Sequence, residues 1–129
     1  MLTTKILNPD ILSLLARVRH TNSLVIADRG FPFWPQIETI DLSLTDDVPT
    51  VLQVLAAIRH HFQPAHAFMA SEFLQHNTAS VRTRFAKAIE GIPITHQPHA
   101  TFKKAVPDAI GLIRTADTTQ YANMILISG

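Results

Sequence analysis

The run Leu24-Val25-Ile26-Ala27 constrains this chain more than any other segment. Four apolar residues without polar alternation describe a strand covered on both faces, because a strand with one wet face alternates apolar and polar side chains. Such a strand needs a layer on either side of its sheet, and amphipathic helices are available to supply both. Asn8-Pro9-Asp10 reads as a helix start, with Asn8 as N-cap and Pro9 at the first helical position, where its missing N–H costs nothing. Ile11, Leu14, Leu15 and Val18 then recur at helical spacing, predicting a first helix that ends near His20.

The same reading predicts a helix opening at Pro49 and carrying Val51, Leu55, Ile58 and Phe62. Another carries Val81, Phe85 and Ile89 and is closed by Gly91. Further strands are expected over 39–44, 65–70, 92–95, 109–115 and 124–127, with a short helix over 101–106. Strands alternating with helices imply an α/β fold: one domain over residues 1–129, built as a three-layer α/β/α sandwich on a largely parallel, mixed sheet. Between Arg29 and Gln36 one glycine and two prolines surround Phe31, Phe33 and Trp34. This aromatic loop is expected to be covered, either by its own core or by a neighbouring chain.

Composition removes several classes of function. Eleven Lys and Arg against ten Asp and Glu leave a net charge of +1, far from the basic patch that nucleic-acid binding needs. No apolar run approaches the roughly 20 residues of a membrane span, so no membrane insertion is expected. The opening Met1-Leu2-Thr3-Thr4-Lys5 has no apolar stretch of signal-peptide length before Asn8, Pro9 and Asp10. With no cysteine, thiolate metal sites and disulfides are excluded, and a cytoplasmic location is the default.

Seven histidines in such a chain invite metal binding or proton transfer. A helical metal pair needs ligands at i and i+3 or i+4, which only His96 and His99 satisfy. Pro98 lies between them and disfavours a helix there, and no acidic residue sits nearby in sequence, so no metal site is expected. His60 and His61 fall at a helix end, where imidazoles cap carbonyls. His66 lies in an apolar strand and His76 beside Asn77 in a turn, and both read as structural. His20 either caps the first helix or serves chemistry. Asp28 lies at the carboxyl end of the first strand, where open α/β sheets bind ligands or where a turn starts.

At this point the residues resemble the ribose pyranase and fucose mutarotase family. The likeness runs in order from Leu7-Asn8-Pro9-Asp10 through His20-Thr21, Asp28-Arg29-Gly30-Phe31-Pro32, Ile40-Asp41-Leu42, Val48-Pro49 and Gln53-Val54-Leu55 to Tyr121-Ala122-Asn123-Met124-Ile125-Leu126. The resemblance implies that His20 is the catalytic acid–base group and that Asp28 binds sugar hydroxyls. His99, in His99-Ala100-Thr101-Phe102-Lys103, is similar to a sugar-binding histidine of the ribose pyranases, where the fucose enzymes usually carry arginine. Tyr121 and Asn123, with the backbone of Ala122 between them, match the family's closing sugar-binding segment. Two departures stand out. Asn22 replaces a common acidic residue and would have to orient an imidazole without supplying charge, and the chain stops at Gly129, short of the usual tail.

The implied reaction opens a cyclic hemiacetal and recloses it, interconverting pyranose and furanose forms of a free monosaccharide, D-ribose before L-fucose, with no cofactor. An ordinary imidazole titrates near pH 6.5, so both of its forms are available near neutrality. A non-catalytic sugar-binding module of an uptake system is the alternative from another class. An extended segment from Ser23 to Ala27, at about 3.3 Å per residue, separates His20 from Asp28 by more than about 16 Å. One pentose cannot touch both within one chain. The expectation is therefore a site shared between subunits, in keeping with the ring-shaped homo-oligomers that the resemblance implies.

Overall fold

A computed structural model describes residues 1–129. The first helix, α1 (Pro9–Ala16), begins as its residues dictate: Asn8 Oδ1 accepts the N–H groups of Asp10 and Ile11 at 2.9 and 3.0 Å, and Pro9 occupies the first turn. It buries Ile11 and Leu14 and stops at Ala16, four residues before His20. The chain leaves the helix early because Arg19–Asn22 forms a separate turn, in which the Arg19 carbonyl accepts the Asn22 N–H at 3.0 Å.

That turn delivers the chain into β1 (Ser23–Ala27), all five residues of which are buried. Its neighbours are β5 (Gly111–Arg114), parallel, with Leu24 opposite Gly111, and β6 (Met124–Ser128), antiparallel, with Val25 opposite Ile125. The remaining strands are β2 (Glu38–Asp41), β3 (Pro64–Ala70) and β4 (Ile94–Gln97), giving the order β2-β5-β1-β6-β3-β4. Five strands run one way and β6, inserted between β1 and β3, runs against both of its neighbours. The expected mixed, largely parallel sheet is what the chain forms.

Alternate residues of β1 feed two cores. Leu24 and Ile26 join Leu14 of α1, Val51, Leu55 and Ile58 of α2 (Val51–Ile58), Phe73 of α3 (Ser71–His76) and Phe85 of α4 (Ala79–Ala88). Val25 and Ala27 face the other way, onto Phe31, Phe102 of α5 (His99–Ala105) and Val106 of a 3₁₀ turn, Val106–Asp108. Burying a side chain such as Leu24, Val25 or Ile26 is worth about 1.5–3 kcal/mol. The second layer lies close: a Cβ added to Gly111 would meet the Leu14 methyls at 2.7 and 2.8 Å, so β5 needs glycine where α1 crosses it.

Several boundaries differ from expectation for local reasons. α2 starts at Val51 rather than Pro49, because Thr50 and Gln53 form a reciprocal capping box. β2 stops at Asp41, whose carboxylate takes the Ser43 N–H and turns the chain. β4 spans 94–97 rather than 92–95, and α5 starts at His99 rather than Thr101. Helix α3 was not expected from the spacing, since Phe73 is its only buried residue. The aromatic loop divides: Phe31 is 5% exposed and belongs to its own core, Trp34 packs beside it, and Phe33 projects at 69% exposure. Phe31 is therefore a core residue and not a free interface group.

Candidate active site

Because β6 runs against its neighbours, its amino end lies at the same sheet edge as the carboxyl ends of β1 and β3. The segment leading into β6 therefore meets the residues that follow β1 and β4. At this edge a cavity of about 320 Å³ is lined by Asp28, Gly30, Phe31, Pro32, His99, Gln120, Tyr121 and Asn123. Four of the residues singled out from the sequence, Asp28, His99, Tyr121 and Asn123, thus come together from segments far apart in the chain.

Asn123 fastens two walls of the cavity. It is 2% exposed, and its Oδ1 accepts the Asp28 N–H at 2.7 Å. Asp28 is half-buried, and its Oδ1 accepts the Gly30 N–H at 3.0 Å, an Asx turn of the kind that Asp-x-Gly favours. Burial raises the Asp28 carboxyl above the usual aspartate value. The Gly30 N–H, the Asn123 amide and the Phe31 N–H oppose this, and the Asp117 carboxylate adds to it.

His99 opens α5, where Pro98 ends β4 and both oxygens of the Glu72 carboxylate accept the His99 N–H at 3.1 Å. Its ring stacks on Phe102 at 6.0 Å and meets Phe31 and Tyr121 edge-on at 6.1 and 5.1 Å. Nδ1 is enclosed without a hydrogen-bond partner. Burial lowers the His99 pKa, the Lys103 ammonium one turn along α5 adds to the shift, and the Glu72 and Asp28 carboxylates oppose it. The shift favours the neutral imidazole, which can either donate or accept a hydrogen bond.

Tyr121 reaches the cavity from a left-handed backbone, φ +56°, with its ring between His99 and the ring of His76 at 5.4 Å. Ala122 is fully buried behind the wall and does not line the cavity. Residues that the sequence left unassigned complete the site: Gly30, Phe31, Pro32 and Gln120 in the wall, and Glu72 behind His99. Asp-x-Gly was a usable local signal for Gly30. Glu72, 27 residues from His99, had none.

His20 is elsewhere. It is exposed in the turn at the opposite end of β1, outside every cavity of the chain. Asn22, which could orient an imidazole, makes no hydrogen bond to it; the Asn22 Oδ1 accepts the Arg19 N–H at 2.8 Å. The other histidines follow their structural readings in part. His66 bonds Thr95 Oγ1 at 2.8 Å. At His60 and His61 the backbone N–H groups close the last turn of α2. His76, read as a turn residue, ends α3 and packs on Tyr121.

Fold and cavity together define an open α/β protein whose cavity lies outside the carboxyl ends of its parallel strands, the place where such sheets commonly hold small molecules. The chain belongs to the RbsD / FucU transport protein family, whose family model matches residues 1–129. A D-ribose pyranase of Laribacter hongkongensis is 39% identical over 124 residues, covering 96% of this chain and 94% of the relative. One of Chromobacterium violaceum is 42% identical over 123 residues, covering 95% and 93%. Among solved structures, Bacillus subtilis RbsD complexed with D-ribose superposes with a TM-score of 0.91 at 30% identity, over 100% of this chain and 98% of that one. The fucose mutarotase of Streptococcus pneumoniae in complex with L-fucose shares the fold, with a TM-score of 0.75 at 21% identity, over 95% and 92% of the two chains. No helix of the chain is long and apolar enough to cross a membrane.

Proposed function

We propose that this protein is a sugar mutarotase of the ribose pyranase type, which interconverts the pyranose and furanose forms of free D-ribose. The observation that carries the reading is the convergence of Asp28, His99, Tyr121 and Asn123 on one cavity, in a chain whose relatives are D-ribose pyranases. A volume of about 320 Å³ with a carboxylate, an imidazole, a phenol and an amide suits a small polyol rather than an apolar ligand. Asp28 accepts hydrogen bonds from sugar hydroxyls, while Asn123, Tyr121 and His99 fix the remaining ones.

His20 moves the protons. One proton leaves the anomeric hydroxyl and one is delivered to the ring oxygen as the bond between that oxygen and the anomeric carbon breaks. Attack by a different hydroxyl on the free carbonyl then closes the other ring size, with the reverse proton transfers. Nothing is oxidised or reduced, and no cofactor enters. Since β1 separates His20 from Asp28 of the same chain, the complete site takes His20 of the partner subunit, in a ring-shaped homo-oligomer. Exposed Phe33, Leu44 and Val48 supply apolar surface for such contacts. A cytoplasmic location suits an enzyme acting on free sugar after uptake and agrees with the absence of cysteine.

Magnetization-transfer NMR on equilibrated D-ribose tests the reading. The intact protein is expected to accelerate pyranose–furanose exchange, and His20→Ala to lose about 10²- to 10⁴-fold of that acceleration. Full exchange in His20→Ala would remove His20 from its role, and ribose binding without any acceleration would make the protein a sugar-binding module.

A further inference from the structure

Three non-glycine residues of this chain adopt a left-handed backbone: Thr21 at φ +68°, Asp47 at +63° and Tyr121 at +56°. Two have visible reasons. Aspartate tolerates this region better than most residues, and the Asp47 carboxylate is held by the N–H and hydroxyl of Thr118 at 2.8 Å each. Tyr121 is bent so that its ring enters the cavity. Thr21 has neither reason. It is β-branched, for which this conformation is a genuine outlier, and it occupies the third position of the Arg19–Asn22 turn, where glycine would be at ease.

The turn holds Thr21 in place without using its side chain. The Asn22 N–H reaches the Arg19 carbonyl at 3.0 Å, and Asn22 Oδ1 takes the Arg19 N–H at 2.8 Å. The Thr21 N–H is bound by the Ser128 carbonyl at 3.1 Å, and the Ser128 N–H by the Asn22 carbonyl at 2.8 Å, which clips the turn to the end of β6. Each of these bonds is open to a glycine. The Thr21 side chain is exposed and joins neither core. A strained residue whose side chain does nothing for its own fold points to a use outside that fold, and the adjacent residue in the same rigid turn is His20.

Building on the proposed role of His20, we infer that Thr21 is a second sugar-binding group carried by this turn. Its hydroxyl is presented with the imidazole to the sugar held in the neighbouring subunit's cavity, where it hydrogen-bonds a ring hydroxyl. The left-handed backbone directs the Thr21 side chain outward beside His20, and the clipping to Ser128 keeps the two groups in fixed relation.

Thr21→Gly, Thr21→Ser and His20→Ala are compared by ring-exchange NMR over a range of D-ribose concentrations and by thermal unfolding. Thr21→Gly is expected to raise Tm by about 2–4 °C while lowering kcat/KM about tenfold, mainly through KM. Thr21→Ser is expected to recover most of the lost affinity. A Thr21→Gly protein of full activity beside an inactive His20→Ala overturns this inference and leaves the function intact, whereas an active His20→Ala overturns the reading on which it rests. Failure of Thr21→Ser to recover affinity also overturns it, since the loss would then lie in the backbone and not in the hydroxyl.

Discussion

Asp28 and His99 share a cavity and respond to burial in opposite senses. Burial raises the Asp28 pKa, so the folded chain holds that proton more tightly than the unfolded one. The associated stability is present below the ordinary value of 3.8 and is lost as pH rises through the folded value. For His99, whose folded pKa is lowered, the associated stability is present above 6.5 and is lost as pH falls through the folded value. Asp28→Asn keeps the carbonyl that takes the Gly30 N–H and removes the desolvated charge. Its Tm is expected to exceed the parent's at pH 7, with the difference closing as pH approaches 3.8, while NMR titration shows ribose binding weakened about tenfold or more. A lower Tm for this variant at pH 7 would contradict the account of Asp28. Asp28 could be singled out from the sequence because an aspartate at the carboxyl end of a buried strand is a local pattern. The fixed orientation of His99 had no such pattern, since its carboxylate partner comes from a different helix.

At the scale of elements, the start of α5 decides how His99 meets the cavity. Pro98 disfavours a helix across 96–99 and ends β4, but it also serves as the N-cap of α5. The helix begins two residues earlier than its apolar residues suggest, because Glu72 of α3 accepts the first N–H. Glu72→Ala leaves that N–H without a carboxylate and removes a charge that favours helix N-termini, a loss of about 1 kcal/mol. The expected outcome is a Tm lower by about 2–4 °C with a severalfold higher KM for ribose and little change in kcat. An unchanged KM would show that α5 positions His99 without Glu72. Helix α3 escaped the sequence reading because six residues with a single buried side chain carry no periodic signal, whereas α1 and α2 announce themselves by caps and repeated apolar positions.

For the whole molecule, β1 acts as a spacer: its amino end carries the His20 turn and its carboxyl end carries Asp28. If each site needs His20 from one subunit and Asp28 from another, two inactive variants can rescue one another. Co-refolding His20→Ala with Asp28→Ala in equal amounts is expected to restore exchange at roughly a quarter of the sites, while each variant alone stays inactive. No recovery in verified mixed oligomers would argue for sites confined to single subunits. The α/β class, the cap of α1, the doubly covered central strand and the position of Asp28 at its end were legible in the chain, because caps, turns and apolar periodicity act over a few residues, whereas His99, Tyr121 and Asn123 stood out only through the resemblance to the ribose pyranase and fucose mutarotase family. Which candidates share a cavity was decided by tertiary structure alone. The reversed direction of β6 carries Tyr121 and Asn123 to the edge where β1 and β4 end, and strand order and direction arise from packing between segments up to about a hundred residues apart, which no local pattern encodes.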